Sequence, residues 1–98
     1  MPGWVRKGDV NEVGAPVIAD VADTVLVNGR PAALKGSLIQ DHVNPAYKKK
    51  PPHIGGPVIV EGAGSVIVEG KPAAFKGASE SCGHTQVEAS DDVMIPGG

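Results

Sequence analysis

The residues best suited to do chemistry are few. The chain has three histidines, His42, His53 and His84, and a single cysteine, Cys82. Neutral imidazole and thiolate are the ligands Zn²⁺ prefers, and four of them close a tetrahedron. A closed set suits a structural ion, because a catalytic zinc keeps a position open for water. A second reading stands beside this one. Three histidines are ordinary usage for this length, and a lone cysteine commonly serves as a small buried hydrophobe. The Cys-x-His spacing of Cys82 and His84 is not a zinc-ribbon pattern. Residue types alone leave both readings open. Other chemistry finds less support. No Ser-His-Asp set accompanies a nucleophile elbow. No glycine-rich phosphate loop precedes a helix. Only Asp41, beside His42, offers a base for a zinc hydrolase. The basic "YKKKPPH" of residues 47–53 reads as a solvated loop.

These residues hang on a repeat. Residues 14–36, "GAPVIADVADTVLVNGRPAALKG", and residues 55–77, "GGPVIVEGAGSVIVEGKPAAFKG", align at an offset of 41 without a gap, with 13 of 23 positions identical. Most other pairs are mild exchanges, such as Asp20 with Glu61 and Arg30 with Lys71. Each copy reads as β structure, with short β-branched runs flanking a turn. Asn28-Gly29 is a type I′ hairpin dipeptide, and Glu69-Gly70 is a weaker form of the same signal. Pro31 and Pro72 cannot donate to a ladder, so each belongs at a strand start or edge. The Ala-Ala pairs that follow suit close packing near an axis. No segment shows helical periodicity with caps.

A third, degenerate unit is split between the termini. "DVMIPGG" (residues 92–98) resembles "SVIVEGK" (65–71), and "WVRKGD" (4–9) resembles "AALKGS" (32–37). Joined end to start they give a strand, a Pro-Gly turn and a return strand ending in Lys7-Gly8. The termini must then lie side by side, Val93 and Ile95 must face one way, and three similar units surround a pseudo-threefold axis. The histidines and the cysteine fall where the repeat breaks down, after Gly36 and Gly77. Glu12 stands opposite His53 in the first copy, so the repeat offers one ion at most, and Glu12 itself is expected to face solvent.

Composition bounds the rest. The 98 residues form one small domain, spanning 1–98, with a limited core. Aromatics are 3%, so the core must be built from Val, Ile, Leu and Ala. Net charge −2 argues against nucleic acid as a partner. Three aromatics also give little platform for a free-standing carbohydrate-binding β module. No stretch is apolar enough to span a bilayer, and "MPGWVRKGDVNE" lacks the apolar region of a signal peptide. Synthesis in the cytoplasm, with export only as part of a larger apparatus, is the expectation.

The doubled V-x-V-[NE]-G-[RK]-P-A-A-[LF]-K-G resembles the PAAR (Pro-Ala-Ala-Arg) repeat family. The fourth motif position, usually Arg, is Leu34 in one copy and Phe75 in the other. "HIGGPVIVEGAGSVIVEG" follows the family's pattern with one extra residue after the histidine, and "EVGAP" departs further. The resemblance covers roughly residues 5–97. It implies an all-β, small pointed (conical) domain of short hairpins with pseudo-threefold repeats and a zinc-stapled tip. It implies a structural, non-enzymatic protein that caps the trimeric, VgrG-like β-helical spike of a contractile injection machine, one chain per trimer. Such a cap aids membrane piercing and effector delivery, and it meets the target membrane only transiently. It further implies one structural Zn²⁺ held by His42, His53, Cys82 and His84.

Overall fold

The computed structural model describes residues 2–40, 57–81 and 83–95. Among them there is no helix, and the chain is built of short antiparallel pairings. The strands are β1 (Val17–Ala19), β2 (Leu26–Val27), β3 (Arg30–Pro31), β4 (Leu38–Ile39), β5 (Ala63–Val68) and β6 (Lys71–Ala73). β2 pairs with β3, β5 with β6, and β1 with β4. The β2–β3 turn has Asn28 at φ 53° and Gly29 at φ 81°, and the β5–β6 turn has Glu69 at 52° and Gly70 at 80°. Two successive positive φ values are the type I′ geometry that matches strand twist. The weaker dipeptide therefore makes the same turn.

A third hairpin of this kind is assembled from the two ends of the chain. Gly3 bridges Met94 as Pro31 bridges Leu26 and Pro72 bridges Ile67. Trp4 N donates to Val93 O at 2.9 Å, and Ile95 N donates to Pro2 O at 2.7 Å. Side chains alternate as a strand requires. Ile95 and Val27 are buried, with Val93 and Val25 packed against the same core, while Met94 and Leu26 face outward.

The threefold relation is closed by the backbone. Val5 N donates to Ala74 O (3.0 Å), Ala74 N to Ala33 O (3.0 Å), and Ala33 N to Val5 O (2.9 Å). These three bonds form a ring in which each unit gives to one neighbour and accepts from the other. A second ring lies beside it: Lys7 N to Pro31 O, Lys35 N to Pro72 O, and Lys76 N to Gly3 O, at 2.8 to 2.9 Å. The same chain reversal follows in all three units, with Gly8, Gly36 and Gly77 at φ 92°, 96° and 97°. An L side chain is strained in that region, which is why Lys-Gly recurs.

Val5, Ala33 and Ala74 are fully buried on the axis, where the three backbones bond to one another. Around it lie two apolar layers. One contains Trp4, Val27, Leu34 and Ile95. The other contains Val17, Ile39 and Ile59. Trp4 occupies the place held by Ala32 and Ala73 in the other units and fills the first layer. Its Nε1 donates to Ala33 O at 3.0 Å, using the second lone pair of a ring carbonyl.

Beyond the second layer, three hairpins leave the ring in the same direction. They are closed by Asn11 N to Ala15 O (3.0 Å), Ile39 N to Pro57 O (2.8 Å) and Glu80 N to His84 O (2.8 Å). In this part of the chain the register departs from the offset of 41. Val17 N donates to Asp9 O as Ile59 N donates to Ser37 O, so Val17 corresponds to Ile59, 42 residues on. The difference is absorbed by an irregularity between Val17 and Ala19, followed by Asp20 at φ 58°.

Candidate functional site

The three hairpins share one frame. Glu12 N donates to Thr85 O (3.1 Å), Gln40 N to Pro16 O (3.0 Å) and Ser81 N to Val58 O (2.7 Å). Each hairpin is thereby knitted to the next. Glu12, Gln40 and Ser81 are equivalent positions in this ring of bonds. Glu12 is exposed, and its Oε1 accepts from Thr85 N at 3.1 Å. It therefore stitches hairpin to hairpin.

Two closing bonds span the same number of residues, 11–15 and 80–84, whereas that from Ile39 to Pro57 spans residues 41–56, which lie outside the described residues. In sequence, His42 and His53 fall between Ile39 and Pro57, and Cys82 and His84 fall within 80–84. His84 closes its hairpin and is buried, at 6% exposure. Its equivalent in the first hairpin is Ala15, also buried. His42, His53 and Cys82 lie outside the described residues, as do Asp41 and the basic segment 47–53. In sequence, His42 follows Gln40 by two positions and Cys82 follows Ser81 by one, both leaving the same ring. Among the described residues alone, no three His, Cys, Asp or Glu side chains gather into a metal cluster.

A polar cluster that no local sequence pattern marks lies just inside this end. Asn11, Glu80 and Gln86 are buried, at 1%, 3% and 1% exposure. Asn11 Nδ2 donates to Glu80 Oε1 at 2.9 Å, and Gln86 Nε2 donates to Glu80 Oε2. The residues of each pair are far apart or ordinary in type, so no local pattern marks them. A second buried carboxylate, Asp9, lies where the rings begin. Its Oδ2 accepts from Arg6 N and Nε, both at 2.9 Å. Its Oδ1 accepts from Arg6 Nη2 at 3.1 Å and Arg30 Nη2 at 2.9 Å. The hydrogen bond to Asp9 holds the Arg6 guanidinium above its ordinary pKa, outweighing the opposing effect of burial. Arg6 stands in the ring where Leu34 and Phe75 stand in the other units. The motif's usual Arg is thus present, in the split unit.

The PAAR motif family model matches residues 48–98, just over half of the chain. The chain belongs to the PAAR-motif family. A comparison with curated proteins found no match. At the level of the family, these are structural spike-tip proteins rather than enzymes. They associate with a spike protein of contractile injection systems, as part of a secreted apparatus. No helix among the described residues is long and apolar enough to cross a membrane.

Proposed function

We propose that this chain caps a trimeric, VgrG-like β-helical spike, one copy per trimer, and that one Zn²⁺ held by His42, His53, Cys82 and His84 staples the opposite end. The closed ring of Val5, Ala33 and Ala74 carries this reading. It gives a single chain three equivalent faces, which is what one molecule needs to sit on a threefold partner. Leu26, Ile67 and Met94 add to it. They are equivalent positions of the three strand pairs around the axis and are 62%, 56% and 40% exposed. Three apolar side chains in threefold array offer matching contacts to three identical chains, and strand edges there would be covered by strand addition.

At the other end, the donor set fits zinc. Neutral imidazole and thiolate are its preferred ligands, and His84 is already withdrawn from water. Such a site would hold together the part of the molecule with the least apolar core, since metal binding supplies folding energy. Force from a contracting sheath would then act through a stiff point, with any effector carried as a separate partner. Protein purified without added metal should carry about one zinc per chain by elemental analysis. Cys82→Ser should weaken binding sharply, because it removes the only anionic ligand. Light scattering of the chain mixed with a trimeric spike should give one chain per trimer. A complex with three chains per trimer, or none at all, overturns the capping role. A folded, metal-free protein overturns the staple.

A further inference from the structure

Three exposed places on the flank of the molecule share one chemistry. Each chain reversal is tied to a strand of the second layer: Gly8 N donates to Val17 O (2.9 Å), Gly36 N to Ile59 O (2.7 Å) and Gly77 N to Gln86 O (2.7 Å). One residue before each donor is a lysine, Lys7, Lys35 or Lys76, and one residue after each acceptor is Ile18, Val60 or Val87. The bonds set these six positions side by side in three pairs. The lysines are all exposed, and Ile18, Val60 and Val87 are 40%, 44% and 44% exposed. Among the described residues none of the three lysines is in an ion pair, since the pairs there join Asp9 to Arg6 and Arg30.

Folding does not ask for this repetition. The glycines need positive φ, but the lysine before each does not. Packing constrains buried side chains most, yet the buried neighbours differ: Asp9, Ser37 and Ala78 after the reversals, and Val17, Ile59 and Gln86 before the exposed apolar residues. The exposed positions agree where the buried ones diverge. Nor is the agreement a by-product of the two clear copies, because Lys7 and Val87 lie outside both. No strand edge is free here. Residues 9–11, 15–19, 37–40, 57–60, 79–81 and 84–88 are each bonded to the next, and the last to the first. A partner on this flank is therefore held by side chains and not by strand addition.

We propose that the pairs Lys7–Ile18, Lys35–Val60 and Lys76–Val87 are three equal docking stations for three identical arms of the spike trimer. Each arm runs past the end of the spike's β-helix and lies on the flank, with a carboxylate at the lysine and an apolar side chain at the Ile or Val. This rests on the capping role proposed above and adds a second height of contact to it. Leu26, Ile67 and Met94 flank the first apolar layer, and the stations flank the second. A partner bound singly would use one station and gain nothing from the other two. A trimer uses all three at once, and linked contacts of modest strength then add up. Cations spaced evenly round the axis also oppose a wrong partner of like charge.

The test uses the full chain and a trimeric VgrG-like spike, intact or cut back to the last turn of its β-helix. Affinity is measured by titration calorimetry at low and high salt for the wild type and for Lys7→Gln, Lys35→Gln and Lys76→Gln, singly and together. Each single variant should weaken binding about two- to fivefold, by a similar factor. The triple variant should lose roughly the product of the three, because the sites are separate. High salt should weaken the wild type and leave the triple variant nearly unchanged. Cutting back the spike should bring the wild type down to the triple variant and cost the triple variant little more. All the changes are on the surface, so urea midpoints should not move, and the single variants carry the test should the triple variant fold poorly. A triple variant with wild-type affinity for the spike overturns the stations and leaves the capping role standing. A loss confined to one lysine shows a partner bound on one side and overturns them too. So does a triple variant that keeps its spike affinity but loses binding to phosphatidylglycerol vesicles, since the lysines then meet lipid headgroups. A wild type that binds no trimer removes the capping role and the stations together.

Discussion

The axis and the hairpin end of this molecule obey different rules. On the axis, two like stretches and one divergent one make the same hydrogen bonds to within about 0.1 Å: Val5, Ala33 and Ala74 in one ring, Lys7, Lys35 and Lys76 in the next. At the hairpin end the backbone still repeats, but the side chains do not. Asn11, Ile39 and Glu80 are equivalent, as are Ala15, Pro57 and His84, and they share no chemistry. Backbone symmetry suffices to present three equal faces to a threefold partner. A single bound ion has one coordination shell, so the residues that would hold it need not repeat. The chain keeps its symmetry where a trimer would be met and spends its distinctive residues where symmetry has no use.

The sharpest way to break this contrast is to remove the least obvious third of the axis. Deleting residues 93–98 takes away Ile95, which is fully buried, and the partner of Trp4 N. Two neighbouring edges and Trp4 are then exposed. A domain of this size has about 5–15 kcal/mol in total. The truncated chain should be unfolded or aggregated at 25 °C by circular dichroism and light scattering. Ile95→Ala gives a graded version, with an expected loss of about 2–5 kcal/mol in urea denaturation. A truncated chain with an unchanged urea midpoint would show that two units stand without the third.

A second test uses one position that the three units fill differently. Asp9, Ser37 and Ala78 are equivalent, and each is fully buried. Asp9 collects four hydrogen bonds from Arg6 and Arg30. Ser37 Oγ accepts from Leu34 N and donates to Asp20 O, both at 2.9 Å. Ala78 has no side-chain hydrogen bond to make. Asp9→Asn leaves Arg6 beside a neutral amide, and losing one side of a buried pair costs about 3–5 kcal/mol. Ser37→Ala removes ordinary hydrogen bonds and should cost about 1–3 kcal/mol. Denaturant midpoints of the two variants should rank in that order. Equal losses would mean that the charge at Asp9 adds nothing beyond a neutral bond.

What the sequence disclosed follows from which features need particular residues. The turns at Asn28-Gly29 and Glu69-Gly70, and the reversals at Gly8, Gly36 and Gly77, demand positive φ, so glycine marks them. The two clear copies were visible for the same reason. The split unit left a fainter trace because its ring bonds are made by the backbone, which accepts Trp4-Val5-Arg6 as readily as Ala-Ala-Leu. The extra residue near Asp20 was hidden, since an ungapped alignment runs straight through a local shift of register. Aligning "WVRKGD" with "AALKGS" already sets Arg6 against Leu34. That Arg6 supplies the motif's missing arginine follows only once the ring makes the split unit an equal of the others. Asn11, Glu80 and Gln86 could not be found, because Asn11 and Glu80 lie 69 residues apart and meet only when the hairpins close. The proposed metal ligands rest on residue types alone, because three of the four, His42, His53 and Cys82, fall outside the described residues.

The smallest effect separates two equivalent turn residues by their ionisation. Asn28 and Glu69 hold the same place in their turns, and each reaches across to the next unit. Glu69 Oε2 accepts from Thr24 Oγ1 (2.8 Å), Asp23 N (2.9 Å) and Thr24 N (3.1 Å). Asn28 Oδ1 accepts from Ser90 Oγ and from Arg6 Nη1 at 3.1 Å. The bonds from Thr24 hold the Glu69 carboxyl below its ordinary value of 4.5, with burial opposing weakly. A carboxylate whose folded pKa is depressed contributes stability above the unfolded value and loses it as pH falls through the folded one. The Glu69 joint should therefore be intact near neutrality and weaken progressively below pH 4.5, while the Asn28 bonds do not titrate through Asn28. Hydrogen exchange of the Asp23 and Thr24 amides, compared between pH 6 and pH 3 after correction for intrinsic rates, should show a loss of protection. The Val93 amide, bonded to Ser90 Oγ at 2.9 Å beside the Asn28 joint, should keep more of its protection. Glu69→Gln should remove the difference between the two pH values at Asp23 and Thr24. Should all three amides lose protection together in the wild type, the two joints are not independent and acid opens the ring as one unit.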